Sequence, residues 1–205
     1  MSNPFFKNNG PFKFNYILKE LNLNVDESNK DLNITDIKDL QNSKFEEITF
    51  FHSKKYKKAA NTTKASFCIT TKSLQNELPK SCIPIIVDNV LISTSLITAK
   101  FYPNSIDDDF DNTVNDINKT QFNNNVKYGK NVLIGQNVSI GSNCLIGHNT
   151  IIEKNVSIGD NCIIGSNTII RNCLIKNHVR ILDNCVIGKH GFGFFPTQNK
   201  NLRYP

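Results

Sequence analysis

A phrase of six residues, repeated from Val126 to Ile187, constrains this chain more than anything else in it. It runs Asn-Val-Leu-Ile-Gly-Gln, Asn-Val-Ser-Ile-Gly-Ser, Asn-Cys-Leu-Ile-Gly-His, and onward from Asn131. Sorted at that period, Val126, Val132, Val138, Cys144, Thr150, Val156, Cys162 and Thr168 form one column of small or β-branched residues. Two residues further on stand Tyr128, Ile134, Ile140, Ile146, Ile152, Ile158, Ile164 and Ile170. After Thr168 the phase contracts by one residue and resumes as Cys173/Ile175, Val179/Ile181 and Cys185/Ile187, which predicts a distorted corner near Arg171. Residues two apart share one face of a strand, so each phrase supplies two inward apolar side chains and a polar corner. Asn and Gly recur at fixed phase where the chain must turn, and both tolerate left-handed backbone. A helix is excluded, because six is not a multiple of 3.6 and these are poor helix formers. The reading is a parallel β-helix in which each rung buries its face against its neighbours.

Composition narrows the setting. With 205 residues, 39% hydrophobic and 20% charged, the chain is long enough for one or two domains with a real core. Four of its six cysteines, Cys144, Cys162, Cys173 and Cys185, stand in the inward small-residue column, and no Cys-x-x-Cys occurs. They read as packing residues in a reducing compartment, not as bridges or metal ligands. No apolar leader and no run of eighteen apolar residues is present, so the expected location is cytoplasmic, without a membrane span. The net charge of +6 fits acidic small substrates or an acidic carrier protein. Its lysines are scattered without interleaved aromatics, which argues against nucleic acid.

Ahead of the repeats, strand and helix patterns alternate. Asn15–Leu23 has helical spacing, 26–31 is a polar turn, and Leu32–Ile37 and Glu47–Phe51 read as strands. Ser53–Ala60 reads as a helix capped by Ser53, Ala65–Thr70 and Ile83–Val87 as buried strands, and Asn89–Ala99 as a helix. That alternation predicts an α+β chain: a small α/β domain over 1–106, an acidic linker over 107–119 and a β-helix over 120–205. Asp107, Asp108, Asp109 and Asp111 in the linker read as solvated, since they lack the Gly and distal Glu of a calcium loop.

The order of a small α/β domain and then hexapeptide repeats resembles the UDP-3-O-acylglucosamine N-acyltransferase family of lipid A biosynthesis. Most other hexapeptide acyltransferases lack such a front domain. Two motifs carry the likeness. Phe50-Phe-His-Ser-Lys-Lys-Tyr56 resembles the family's Phe-x-x-Asn-Pro-Lys-Tyr, which holds the uracil ring of the sugar nucleotide. Carried over by position, Phe50 and Tyr56 sandwich the uracil, and Ser53 stands where the family's Asn bonds its edge. Ser53 for Asn and Lys54 for Pro are departures; a hydroxyl serves one position where an amide serves two. Lys54 and Lys55 are candidates for the diphosphate. Gly188-Lys-His-Gly-Phe-Gly-Phe-Phe195 resembles the Gly-Phe-Gly-Phe loop that interrupts the family's coils. There Gly191 and Gly193 are expected to permit the excursion, and Phe192 and Phe194 to meet an acyl chain or a neighbouring subunit.

The resemblance implies a left-handed β-helix, although the general crossover rule favours the right hand. It also implies a homotrimer, no cofactor or metal, and an acyl donor that is the phosphopantetheine thioester of acyl carrier protein. A 3-hydroxyacyl group would pass to the 2-amine of UDP-3-O-acylglucosamine, with a histidine as general base and a backbone amide as oxyanion donor. In the family that histidine lies in a later rung, which places it beyond Pro205. His148, His178 and His190 occupy corner or loop positions and read as surface residues. Two other readings remain: a sugar acetyltransferase using acetyl-CoA, and a non-catalytic module that binds a nucleotide sugar.

Overall fold

The computed structural model describes residues 3–25, 27–105, 109–117, 122, 125–191, 193–196 and 201–203. The chain divides into two compact units, one of residues 6–107 with 192–205 and the other of 1–5 with 108–191.

In the first unit, β1 (Phe12–Lys13) leads into α1 (Phe14–Glu20), and β2 (Asn33–Ile34) pairs antiparallel with β1. Next come β3 (Asp36–Ile37), β4 (Glu47–Phe51), α2 (Lys57–Asn61), β5 (Phe67–Thr70), β6 (Ile83–Ile86) and α3 (Val90–Phe101). Strands β3, β4, β5 and β6 form a parallel sheet in that spatial order. The strand expected over Leu32–Ile37 is thus two short ones that pair with different partners on either side of Thr35. Pro84 is tolerated because β6 is an edge strand.

Period-two alternation divides the sheet's side chains. Ile48, Phe67, Ile69 and Ile85 pack with Phe14, Ile17, Ile97 and Phe101 of the two longer helices. Phe51 and Cys68 join Leu40, Ala60, Ala65, Leu74 and Cys82 in a second cluster. Asn89 caps α3 by accepting the Ile92 N–H at 3.1 Å.

The second unit opens with β7 (Asn115–Asp116) and continues as two-residue strands at β8 (Lys127–Tyr128), β9 (Leu133–Ile134), β10 (Ser139–Ile140) and β11 (Leu145–Ile146). Then follow β12 (Ile151–Ile152), β13 (Ser157–Ile158), β14 (Ile163–Ile164), β15 (Ile169–Ile170), β16 (Leu174–Ile175), β17 (Arg180–Ile181) and β18 (Val186–Ile187). Strands β8 to β18 stack in parallel into three sheets, the faces of a prism. Leu145 pairs with Ile163, and Ile151 with Ile169, one coil of 18 residues further on, as the stacked amides of Asn131 and Asn149 also show. Beyond Ile170 the partners fall one residue closer, Ser157 to Leu174 and Ile163 to Arg180. The contraction leaves the ladder intact, because Asn172 takes up the corner with φ 49°.

Asn and Gly divide the corner work differently from the sequence expectation. The asparagines hold the left-handed backbone, from Asn131 (φ 56°) to Asn167 (φ 56°), and His178 (φ 59°) stands in for one of them. Their amides form ladders, such as Asn131 Nδ2 to Asn149 Oδ1 at 3.0 Å and Asn149 Nδ2 to Asn167 Oδ1 at 3.1 Å. The glycines are needed for close approach instead. A Cβ on Gly129 would meet the His148 nitrogen at 2.7 Å, and one on Gly141 the Asp160 nitrogen at 2.7 Å.

The inward columns form one buried cluster. Ile134, Ile146, Ile152, Ile158, Ile164 and Ile170 pack with Val132, Val156, Cys144 and Cys162. Thr150 and Thr168 are buried there because their hydroxyls donate to the Gly165 and Leu182 carbonyls at 2.9 and 3.2 Å. The Cys144 and Cys162 thiols repeat that bond, each at 3.1 Å, to the Gly159 and Lys176 carbonyls. These cysteines are therefore interior donors as well as packing groups. Burial pushes the Cys144 thiol up, away from nucleophilic use.

Two expectations are corrected here. Asp111 is 5% exposed and belongs to the β-helix, not to a solvated linker. Its Oδ1 accepts the Thr113 N–H and hydroxyl, and its Oδ2 accepts the Lys154 N–H at 2.6 Å. Asp107 and Asp108 lie outside the described residues. The coils, expected to fill 120–205, stop at Ile187; β19 (Phe194–Pro196) and β20 (Asn201–Arg203) form a hairpin grouped with the first unit. No helix among the described residues is long and apolar enough to cross a membrane.

Candidate functional site

Strand β4 alternates into the sheet, sending Phe51 into the core at 0% exposure and leaving Phe50 half-buried on the α3 side. The chain leaves the sheet at His52, and Ser53, in extended backbone (φ −150°, ψ 138°), caps a 3-10 turn over Lys54–Tyr56 before α2 begins. The Ser53 hydroxyl oxygen accepts the Lys55 N–H at 3.4 Å. The expected cap is thus present, on a 3-10 turn. This junction lies at the carboxyl end of a parallel sheet, where open α/β folds place their ligands.

Phe50, Ser53 and Tyr56 gather at this end, but Phe50 and Tyr56 do not face each other across an empty slot. The His52 ring lies between, 6.3 Å from Phe50 with planes 21° apart and 5.3 Å from Tyr56 at 49°. Tyr56 is 43% exposed, a large aromatic surface open to a stacking partner. Lys54 and Lys55 are exposed beside it, with the Lys55 ammonium 6.0 Å from the Tyr56 ring centre. Lys57 is engaged elsewhere, with Glu77 at 2.9 Å. The His52 Nδ1 is buried and has no hydrogen-bond partner.

On the other side, Phe50 lines a cavity of about 230 Å³ together with Ile37, Lys38, Leu91, Thr94, Thr98 and Tyr102. The Tyr102 hydroxyl donates to Asp36 at 2.6 Å, and Lys38 pairs with the same carboxylate. Burial works against the Lys38 ammonium, but Asp36 outweighs it and holds the amine above its ordinary value. Burial and the Asp36 bond both push the Tyr102 phenol up. Sequence reasoning missed this cavity and His52. The signal was the four-residue spacing of Thr94, Thr98 and Tyr102, which sets them on one side of α3 and its C-cap. His52 gave none, since it fills an unspecified position of its motif.

In the repeat unit the histidines have structural employment. His148 Nδ1 accepts the Lys130 N–H at 2.8 Å, while its own N–H donates to the Ser166 hydroxyl at 3.1 Å. Asp160 receives the Ser142 N–H at 2.7 Å and Asn177 the Asp160 N–H at 2.9 Å, so each corner side chain caps the coil before it. Around the loop after Ile187, the glycine that backbone geometry demands is Gly188 (φ 76°), whose Cβ would strike the Arg171 carbonyl. Gly191 is not constrained in that way, because a Cβ there would meet nothing within 4 Å. Phe194 opens β19 at 46% exposure, and Phe192 lies outside the described residues.

Residues 31–99, which carry this aromatic site, match the family profile described as UDP-3-O-(3-hydroxymyristoyl) glucosamine N-acyltransferase, LpxD. Residues 137–172, within the coils, match the six-repeat bacterial transferase hexapeptide profile, the sequence form of a left-handed β-helix. Curated relatives named UDP-3-O-acylglucosamine N-acyltransferase include those of Rickettsia prowazekii (strain Madrid E) and Rickettsia typhi (strain ATCC VR-144 / Wilmington), each 32% identical over 104 residues. That of Rickettsia felis (strain ATCC VR-1525 / URRWXCal2) is 31% identical over the same length. Each alignment covers 50% of this chain and 30% of the relative. The chain thus carries a segment that matches the LpxD profile ahead of coils that match the hexapeptide profile.

Proposed function

We propose that this chain is the nucleotide-recognition unit and leading coils of a UDP-3-O-acylglucosamine N-acyltransferase. The observation that carries the reading is the cluster of Phe50, Ser53 and Tyr56 at the carboxyl end of β4, inside the segment that matches the LpxD profile and ahead of hexapeptide coils. A uracil stacked on these aromatics gains about 1 to 3 kcal/mol per contact. The Lys54 and Lys55 ammonium groups stand beside it for the diphosphate.

In the reaction, the glucosamine 2-amine attacks the thioester carbonyl of a 3-hydroxyacyl chain on acyl carrier protein. The amide bond forms, the thiolate of the phosphopantetheine arm leaves, and the amine proton passes to a base. His148 is committed to the Lys130 N–H and is not that base. The residues described here serve to bind and orient the acceptor. Free thiols at Cys68, Cys82, Cys144, Cys162, Cys173 and Cys185 support a reducing, cytoplasmic setting.

Assembly into a homotrimer is part of the proposal. One face of the prism presents Leu133, Ile151, Ile169 and Val186 outward in register, one above another. The corresponding outward residues of a second face are Ser139, Ser157 and Leu174. An aliphatic stripe on one face suits a head-to-tail contact that closes into a ring.

Competition binding tests the reading: UDP-3-O-acylglucosamine should displace labelled UDP from the chain, and acetyl-CoA should not. Direct binding of acetyl-CoA, with no uptake of either uridine compound, would favour the sugar acetyltransferase reading instead.

A further inference from the structure

His52 lies inside the aromatic cluster, and nothing in the motif assigns it a role. Three observations converge on it. Its ring contacts both Phe50 and Tyr56, the two groups proposed to hold the base. Its Nδ1 is buried and without a hydrogen-bond partner, a condition that folded proteins rarely leave uncompensated. Its neighbour Ser53 accepts the Lys55 N–H on one lone pair and keeps its O–H as a donor for a ligand.

The Watson–Crick edge of uracil carries an N–H donor at N3 between two carbonyl acceptors. One carboxamide side chain answers a donor and an acceptor from two separate atoms; a hydroxyl works from a single oxygen and cannot stand opposite both edge groups at once. We propose that His52 is a specificity-determining residue for the uracil edge, its Nδ1 accepting the N3–H while the Ser53 hydroxyl donates to the adjacent carbonyl. Two consecutive side chains then do the work of one amide. Contact with both rings places the imidazole within the aromatic cluster on which the base stacks. Cytosine has no proton at N3 and adenine lacks this pattern, so Nδ1 as acceptor selects uracil. This inference rests on the uridine reading above.

The test compares UDP with N3-methyluridine diphosphate by calorimetry on the full 205-residue chain. The parent should prefer UDP by about tenfold or more, because the methylated base leaves a buried acceptor unpaired. His52→Phe keeps an aromatic but has no acceptor; it should bind UDP about tenfold more weakly than the parent and treat the two ligands alike. His52→Asn, whose Oδ1 stands near the place of Nδ1, should keep most of the preference for UDP. An unchanged N3-methyl penalty in His52→Phe, or a preference lost equally in His52→Asn, would overturn the proposal while leaving uridine binding intact. A parent that binds neither ligand would overturn the uridine reading itself, and this inference with it.

Discussion

The Asp111 carboxylate accepts the backbone N–H of Lys154 at 2.6 Å, across 43 residues of sequence. Its neighbour Thr113 accepts the Gln136 N–H at 2.9 Å. At the other two corners these bonds come from a side chain in the next coil, as with His148 and Asp160. Here the segment before the first coil supplies them, and β7 covers the same end by pairing antiparallel with β9.

Replacing Asp111 with Ala should therefore lower stability by about 1.5 to 3 kcal/mol, the range for hydrogen bonds to a charged group. The effect should depend on pH. Burial alone would raise the Asp111 carboxyl, but the bonds from Thr113 and Lys154 outweigh it and hold the value below the ordinary one. A carboxyl whose folded value is depressed stabilises fully above its unfolded value of about 3.9, and loses that contribution as pH falls through the folded value. Thermal melts of parent and Asp111→Ala should differ at pH 7, begin to approach each other below about pH 4 and converge as pH falls through the depressed folded value.

At the contracted corner, Arg171 and Glu153 form an ion pair at 2.7 Å, with side chains 15% and 14% exposed. Burial pushes the Glu153 carboxyl up, and Arg171 only partly opposes it. Arg171→Met should cost about 3 to 5 kcal/mol, since it strands a buried carboxylate, whereas the double variant with Glu153→Leu should recover most of the loss. The raised carboxyl is protonated at low pH, so the penalty of the single variant should grow as pH rises through the folded value of Glu153. A double-mutant cycle by chemical denaturation measures the coupling.

Corner capping makes a separate claim about His148. His148→Ala removes the acceptor for the Lys130 N–H and should cost about 1 to 2 kcal/mol, while His148→Asn should cost less, because Asn177 fills the equivalent role at another corner. Neither variant should alter uridine binding. Melting temperatures read the first effect and calorimetry the second.

The repeats put fold and packing within reach of sequence reasoning, because each Val, Cys, Thr or Ile meets its like 18 residues on and period alone assigns its face. Even the slip after Thr168 was visible, although Asn172 absorbs it without breaking the ladder. What could not be read depended on approach between distant backbones. Gly129 and Asn131 look interchangeable as turn formers until one sees that the asparagine has positive φ, whereas the glycine lies where a Cβ would collide with the next coil. Asp111 looked like one more acidic linker residue, because its partner Lys154 is remote in sequence. At the aromatic site, Phe50 and Tyr56 came from the motif, while His52 between them needed coordinates.

The aliphatic face carries the proposal for assembly. Ile151→Asp or Ile169→Asp places a charge on the outward stripe without entering the inward columns. Sedimentation should show the parent as a trimer and either variant shifted toward monomer, with unchanged melting of the isolated fold. A monomeric parent contradicts this part of the proposal.

Uridine recognition by Phe50 and Tyr56 is the central claim, and calorimetric titration of the chain with UDP and with ADP tests it most directly. The prediction is clear preference for UDP, with Phe50→Ala and Tyr56→Ala each weakening it by about 1 to 3 kcal/mol. Equal affinity for UDP and ADP, or undiminished UDP binding by Phe50→Ala, would contradict it.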